Sequence, residues 1–155
     1  MVKQFFDTNV LLYQFDDSAP AKKQRAYERV NAALTQRSFV ISTQVMMEFY
    51  ANATAKFKRA IAVERAQRLL LGWADNNLVV TLTPQMIVDA ASVRERHNIS
   101  WWDANIVVAA QRAGADVLVT EDMQHGRMFD DLRVENPFLS DLHEPRTRYS
   151  ARRKK

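Results

Sequence analysis

Residues 100–122, SWWDANIVVAAQRAGADVLVTED, hold a helix start, a helix stop and a strand in one unbroken run. Ser100-Trp101-Trp102-Asp103 resembles a capping box, which satisfies the orphan N–H groups of a first helical turn. Apolar spacing near 3.6 carries the helix to Ala113, and Gly114 supplies its stop. Val117-Leu118-Val119-Thr120 then reads as a buried strand, and Asp122 follows at its carboxyl end.

The same alternation extends in both directions. Val2 to Phe6 and Leu78 to Leu82 read as strands; Phe39-Val40-Ile41 and Leu132-Arg133-Val134 are shorter candidates. Helical spacing fills the gaps, from about Ala21 to Leu34, after Ser42, and through Ala62, Ala66, Leu69, Leu70 and Trp73. Thr83-Pro84 marks another start, an N-cap followed by proline at the first helical position. Buried strands alternating with helices predict an α/β sandwich, three layers around a mostly parallel central sheet.

The chain has 155 residues, suited to one domain, and no cysteine, so disulfide and thiolate chemistry are excluded. No apolar run approaches a membrane span and the N-terminus lacks a signal peptide's features, so a cytoplasmic location is expected. The net charge of +4 belongs to the end of the chain, where Arg146, Arg148, Arg152, Arg153, Lys154 and Lys155 face no acid. Without these six cations, 16 Lys and Arg remain against 18 Asp and Glu, leaving residues 1–145 at about −2. Residues 1–140 are expected to form the folded domain and 141–155 a basic, flexible tail that either solubilises the chain or touches nucleic acid.

Four acids fall where such a fold expects chemistry. Asp7 and Asp122 each follow a strand at its carboxyl end, and Asp103 sits in a first helical turn. Ligands of open α/β sheets bind outside the carboxyl ends of strands, at the point where strand order reverses. Neighbouring central positions for the two strands bring Asp7 and Asp122 together there. Glu48, within the apolar Val45 to Phe49, either faces solvent or is held by something that stabilises its charge. Clustered carboxylates repel, and a hard divalent cation such as Mg²⁺ or Mn²⁺ relieves that penalty. Metal-assisted hydrolysis of a phosphodiester fits, since it needs no nucleophilic side chain.

At these residues the sequence resembles the PIN-domain nucleases, particularly VapC-like toxins of bacterial toxin–antitoxin pairs. The similar segments are Phe6 to Leu11 around Asp7, Ser42 to Phe49 around Glu48, Ser100 to Ile106 around Asp103, and Leu118 to Gly126 around Asp122. In the last, Thr120 is the usual hydroxyl companion of the acid. The resemblance spans roughly residues 2 to 138, with all four motifs in order. It implies a parallel five-stranded sheet flanked by helices, an Mg²⁺ or Mn²⁺ site on the four acids, and endonucleolytic RNA cleavage. It also implies a homodimer and inhibition by a small antitoxin protein.

Each residue has a plainer reading as well. Asp7 suits the N-cap of a helix starting at Thr8. Asp103 suits a capping box, Glu48 a solvated helix face, and Asp122 a turn. Thr8 and Asn9 either orient Asp7 or a metal-bound water, or satisfy their own turn. Thr120 is expected to bond a ligating carboxylate. Glu121 alternates away from its neighbours and reads as solvent-facing, while Asp16, Asp17, Asp130 and Asp131 read as loop charges. His97, His125 and His143 lack metal-ligand spacing, and His125 reads as a turn residue. Trp101 and Trp102 suit packing better than stacking on a base. Lys56, Lys58, Arg59, Arg65 and Arg68 form a basic stretch that either tracks RNA phosphates or lines a solvated helix.

Three functions compete on these residues. One is a metal-dependent endoribonuclease, as a toxin or a housekeeping RNA-processing enzyme; the second is an RNA-binding module without catalysis. The third, a phosphatase with an aspartyl nucleophile, lacks the second aspartate, because Asn9 stands two residues after Asp7.

Overall fold

A computed structural model describes residues 2–55 and 60–139. Lys56, Lys58, Arg59, His143 and the basic tail lie outside the described residues. The element order is β1 (Gln4–Phe6), α1 (Thr8–Tyr13), α2 (Pro20–Thr35), β2 (Phe39–Ser42), α3 (Thr43–Ala53) and α4 (Val63–Asp75), continuing with β3 (Val79–Val80), α5 (Pro84–His97) and α6 (Trp101–Arg112), then β4 (Val117–Val119), β5 (Met128–Phe129) and β6 (Leu132–Glu135).

Helix boundaries follow the capping chemistry. Ser42, Thr83 and Ser100 cap α3, α5 and α6, their side chains accepting from the N–H groups of Val45, Met86 and Asp103. Gly114, after α6, has φ of +71°, the left-handed turn that glycine adopts without penalty.

The strands form one sheet in the order β3-β2-β1-β4-β6-β5. All neighbours are parallel except β5 and β6. The chain lays β2 and β3 on one side of β1, then crosses to place β4 on the other. Strand order therefore reverses between β1 and β4, whose register pairs Phe6 with Val119. The core fills both faces: Phe5, Phe6, Leu118 and Val119 are inaccessible, as are Leu11, Leu12, Phe49 and Ile106 from the helices.

The sheet departs from the expected five strands by one. Met128–Phe129 adds a short antiparallel edge, turned back onto β6 through Asp130, which has φ of +54°. Two residues, one of them exposed, carry no periodic signal. The expected strand from Leu78 to Leu82 shortens to Val79–Val80.

A polar clamp ties α2 to the sheet. Arg29 Nε donates to Gln4 Oε1 at 2.7 Å, and Arg29 Nη2 pairs with Glu135 Oε1 at 3.0 Å. Burial pushes the Glu135 carboxyl up, but hydrogen bonds and charge from Arg29 and Arg133 outweigh it, holding the pKa below its ordinary value of 4.5. A carboxylate depressed by folding stabilises the protein above its unfolded pKa, and that stabilisation is lost as pH falls through the folded value. Urea unfolding of Glu135→Gln should therefore show a shallower acid loss of stability below about pH 4.5 than the parent chain. Identical slopes would contradict the clamp.

Candidate active site

Asp7 and Asp122 lie at the reversal point of the sheet, after β1 and β4, while Glu48 is on α3 and Asp103 in the first turn of α6. Asp7 leaves β1 as the N-cap of α1, fully buried. Its backbone N–H donates to Val119 O at 3.1 Å, and its Oδ1 accepts from Thr8 N at 2.7 Å. Its Oδ2 accepts from Thr120 Oγ1, also at 2.7 Å. One carboxylate oxygen of Asp7 caps the helix, as the N-cap reading expects, and the other meets Thr120 after β4.

Thr120 is the bridge. Its hydroxyl donates to Asp7 while accepting from the backbone N–H of Asp122 at 3.1 Å. Its own N–H is held by Glu135 O at 3.0 Å, which roots the bridge in β6. Asp122 Oδ2 then accepts from Asn9 Nδ2 at 2.8 Å, closing a loop back to α1. Thr8 and Asn9 thus do more than satisfy a turn, although the acids their side chains orient are Glu48 and Asp122.

Glu48 is half-buried on α3, not a freely solvated helix residue. Its Oε1 accepts from Thr8 Oγ1 at 2.7 Å, and Gln44 Nε2 lies 3.5 Å from Oε2. Gln44 also reaches Trp102 O at 3.4 Å, the carbonyl just before Asp103. Asp103 is buried in the first turn of α6, where its N–H meets Ser100 Oγ and the helix dipole favours negative charge. Asp122 is thus bonded to Asn9, and Glu48 to the adjoining Thr8; Gln44 links Glu48 to the carbonyl before Asp103.

Gln44 is a member of this network that sequence reasoning missed. Its signal was its position four residues before Glu48, on the same helix face.

The donors are uniformly hard: carboxylate oxygens, with hydroxyl and amide groups behind them and no sulfur. That chemistry suits Mg²⁺ or Mn²⁺. Among the described residues, no group of three or more His, Cys, Asp or Glu stands close enough together to hold a metal ion as it is. The acids stand tethered individually to Thr8, Asn9, Gln44 and Thr120, or capped as Asp103 is.

Other expectations fall into place around the site. Glu121 is a correction: it is buried, not solvent-facing, with both carboxylate oxygens engaged inside the protein. Trp101 packs against the core, but Trp102 is 45% exposed, so packing holds for only one of the pair. His125 Nδ1 accepts from Asn136 N as a turn residue, and His97 meets the Phe129 ring edge-on. Asp16 remains a loop acid, though buried, accepting from Ser18 N and Oγ. Asp17 pairs with Lys23, and Asp130 and Asp131 are exposed at the β5–β6 turn. Arg65 and Arg68 are exposed on α4, with the Arg65 guanidinium over the Phe15 ring. Among the described residues, no helix is long and apolar enough to cross a membrane.

Comparisons with known proteins agree with this architecture. The family model described as PIN domain matches residues 5–129. A chain of a toxin–antitoxin complex from Klebsiella pneumoniae superposes with a TM-score of 0.61 and 20% identity, covering 87% of this chain and 98% of that one. A chain of DNA-bound VapBC from Salmonella typhimurium superposes with a TM-score of 0.61 and 20% identity, covering 88% and 99%. Identity that low speaks to shared fold. No curated protein sequence matches the chain.

The Thr120 bridge has a measurable worth. Thr120→Val keeps the shape but leaves a buried carboxylate oxygen of Asp7 without its donor, which should cost about 1–3 kcal/mol in denaturant unfolding. Thr120→Ser should recover most of that loss. Equal stability of the valine variant and the parent would contradict the bridge.

Proposed function

The chain belongs to the PIN domain family, and from that premise we propose that it is a metal-dependent endoribonuclease, the toxin of a toxin–antitoxin pair. The observation that carries the reading is the bonding of Asp7 and Asp122 to Thr120 and Asn9 at the reversal point of the sheet, with Glu48 bonded to Thr8 on the same turn; Asp103 lies at the start of α6. A non-catalytic module has no use for four mutually repelling acids held in register.

Asp7, Glu48, Asp103 and Asp122 would hold Mg²⁺ or Mn²⁺. Such an ion, once bound, supplies a more acidic water and neutralises charge on a phosphate. The chain's own residues supply the rest. Thr120 and the Thr8 N–H fix Asp7, Thr8 Oγ1 aims Glu48, and Asn9 aims Asp122. Asp103 gains from the N-terminal end of α6. The protein needs no side-chain nucleophile, since water attacks the phosphodiester.

RNA must approach an acidic site on a domain that is itself slightly negative. Exposed Arg65 and Arg68 on α4, with Lys56, Lys58 and Arg59, are the cations proposed to contact its phosphates. A small antitoxin protein is the proposed partner, supported by the toxin–antitoxin complex among the similar structures. A second copy of the chain is another, supported by the exposed apolar side chains of Met47, Leu71 and Val88. A cytoplasmic setting accords with a cysteine-free enzyme acting on RNA.

Asp7→Asn should lower RNA cleavage by about 100-fold or more while the circular dichroism spectrum stays unchanged. Excess EDTA should abolish cleavage in the parent chain, and Mg²⁺ or Mn²⁺ should restore it. Full activity of Asp7→Asn, or full activity in EDTA, would overturn the reading. RNA binding without any cleavage in either metal would favour the non-catalytic module.

A further inference from the structure

Beneath the acid network lies a second polar cluster that the cleavage chemistry does not use. Glu121 Oε1 accepts from Tyr13 Oη at 2.7 Å, and Glu121 Oε2 pairs with Lys22 Nζ at 3.1 Å. The Lys22 and Glu121 side chains are 5% and 4% exposed. Lys22 Nζ also lies 5.0 Å from the centroid of the Tyr13 ring and 5.5 Å from that of Phe138. Tyr13 and Phe138 meet edge-on at 5.0 Å.

A buried ion pair is a poor way to gain stability, because desolvation offsets the attraction and an apolar replacement often does as well or better. What such a pair supplies is a single defined arrangement. Its position decides what is being arranged. Thr120, Glu121 and Asp122 are consecutive, and each is bonded to α1 or its cap: Thr120 to Asp7, Glu121 to Tyr13, Asp122 to Asn9. Asn9 and Tyr13 lie four residues apart on one face of α1. Glu121 thus ties the middle of the segment to α1 and α2, while Thr120 and Asp122 on either side of it bond to Asp7 and Asn9.

We propose that Tyr13, Lys22 and Glu121 are positioning residues that set the Thr120–Asp122 segment, and through it the Asp7 and Asp122 carboxylates, for the reaction. Lys22 also neutralises a fifth carboxylate that would otherwise add to the charge of the site. The proposal rests on the nuclease reading for its kinetic consequence but not for its structural one.

Two variants of the full chain test it. Tyr13→Phe removes one hydroxyl and keeps the ring against Phe138. It should lower kcat for RNA cleavage about ten-fold, leave KM within about two-fold, and weaken Mn²⁺ binding measured by calorimetry several-fold. The triple variant Tyr13→Phe/Lys22→Met/Glu121→Leu replaces the cluster by apolar side chains. It should melt no lower than the parent and yet lose at least as much kcat, so that stability and activity part company. Unchanged kcat and Mn²⁺ affinity in Tyr13→Phe would overturn the proposal and leave the cluster as core filling. Should the parent chain neither cut RNA nor bind Mn²⁺, the nuclease reading fails, and amide NMR of the metal-free protein decides the positioning. Tyr13→Phe should then shift the Thr120 and Asp122 signals and spare Asp103; unmoved Thr120 and Asp122 signals would overturn it.

Discussion

The hydroxyl of Thr120 joins the carboxylate of Asp7 to the backbone of Asp122, two acids far apart in the sequence. By donating to Asp7 and accepting from the Asp122 N–H, it fixes the relation between the ends of β1 and β4. Those strands flank the place where strand order reverses, and the parallel register of Phe6 with Val119 makes the bridge possible. Slipping that register by one residue would turn Thr120 to the other face and dissolve the site. The core, the caps of α1 and α6, and the clamp of Arg29 on Glu135 all serve to hold this register.

Charge sets the second constraint. Four acids at one end of a sheet repel, and folding assigns each a restraint in place of leaving it loose: Thr120 for Asp7, Thr8 for Glu48, Asn9 for Asp122, the α6 dipole for Asp103. The hydrogen bonds orient the carboxylates of Asp7, Glu48 and Asp122. Lys22 pairs with Glu121, the residue between Thr120 and Asp122, and so offsets the charge of that carboxylate.

Much of this was legible because capping, glycine stops and strand–helix alternation are local signals. Ser100, Gly114 and the run from Val117 locate α6 and β4; Asp7 and Asp122 follow from their places after strands, Asp103 from its helix start, and Glu48 from the family resemblance. What escaped depends on contacts distant in sequence. Glu121 read as solvent-facing because alternation names only the two sides of a strand, and a central parallel strand has helices on both. Its partner Lys22 lies 99 residues away and resembles any surface lysine of an amphipathic helix. The β5 edge is two residues long and is defined by its pairing with β6, not by its own composition. Trp102 stays exposed although its neighbour packs, a distinction of helix face that two adjacent tryptophans cannot announce.

The central claim is that the acids gathered by Thr120, Asn9 and Thr8 constitute one cation site. Its most direct test is an anomalous difference map from crystals of the full chain grown with Mn²⁺, collected at the manganese edge. A peak coordinated by oxygens of at least three among Asp7, Glu48, Asp103 and Asp122 is the expected result. A map at saturating Mn²⁺ with no peak among these residues, or with its only peak elsewhere on the protein, would contradict it.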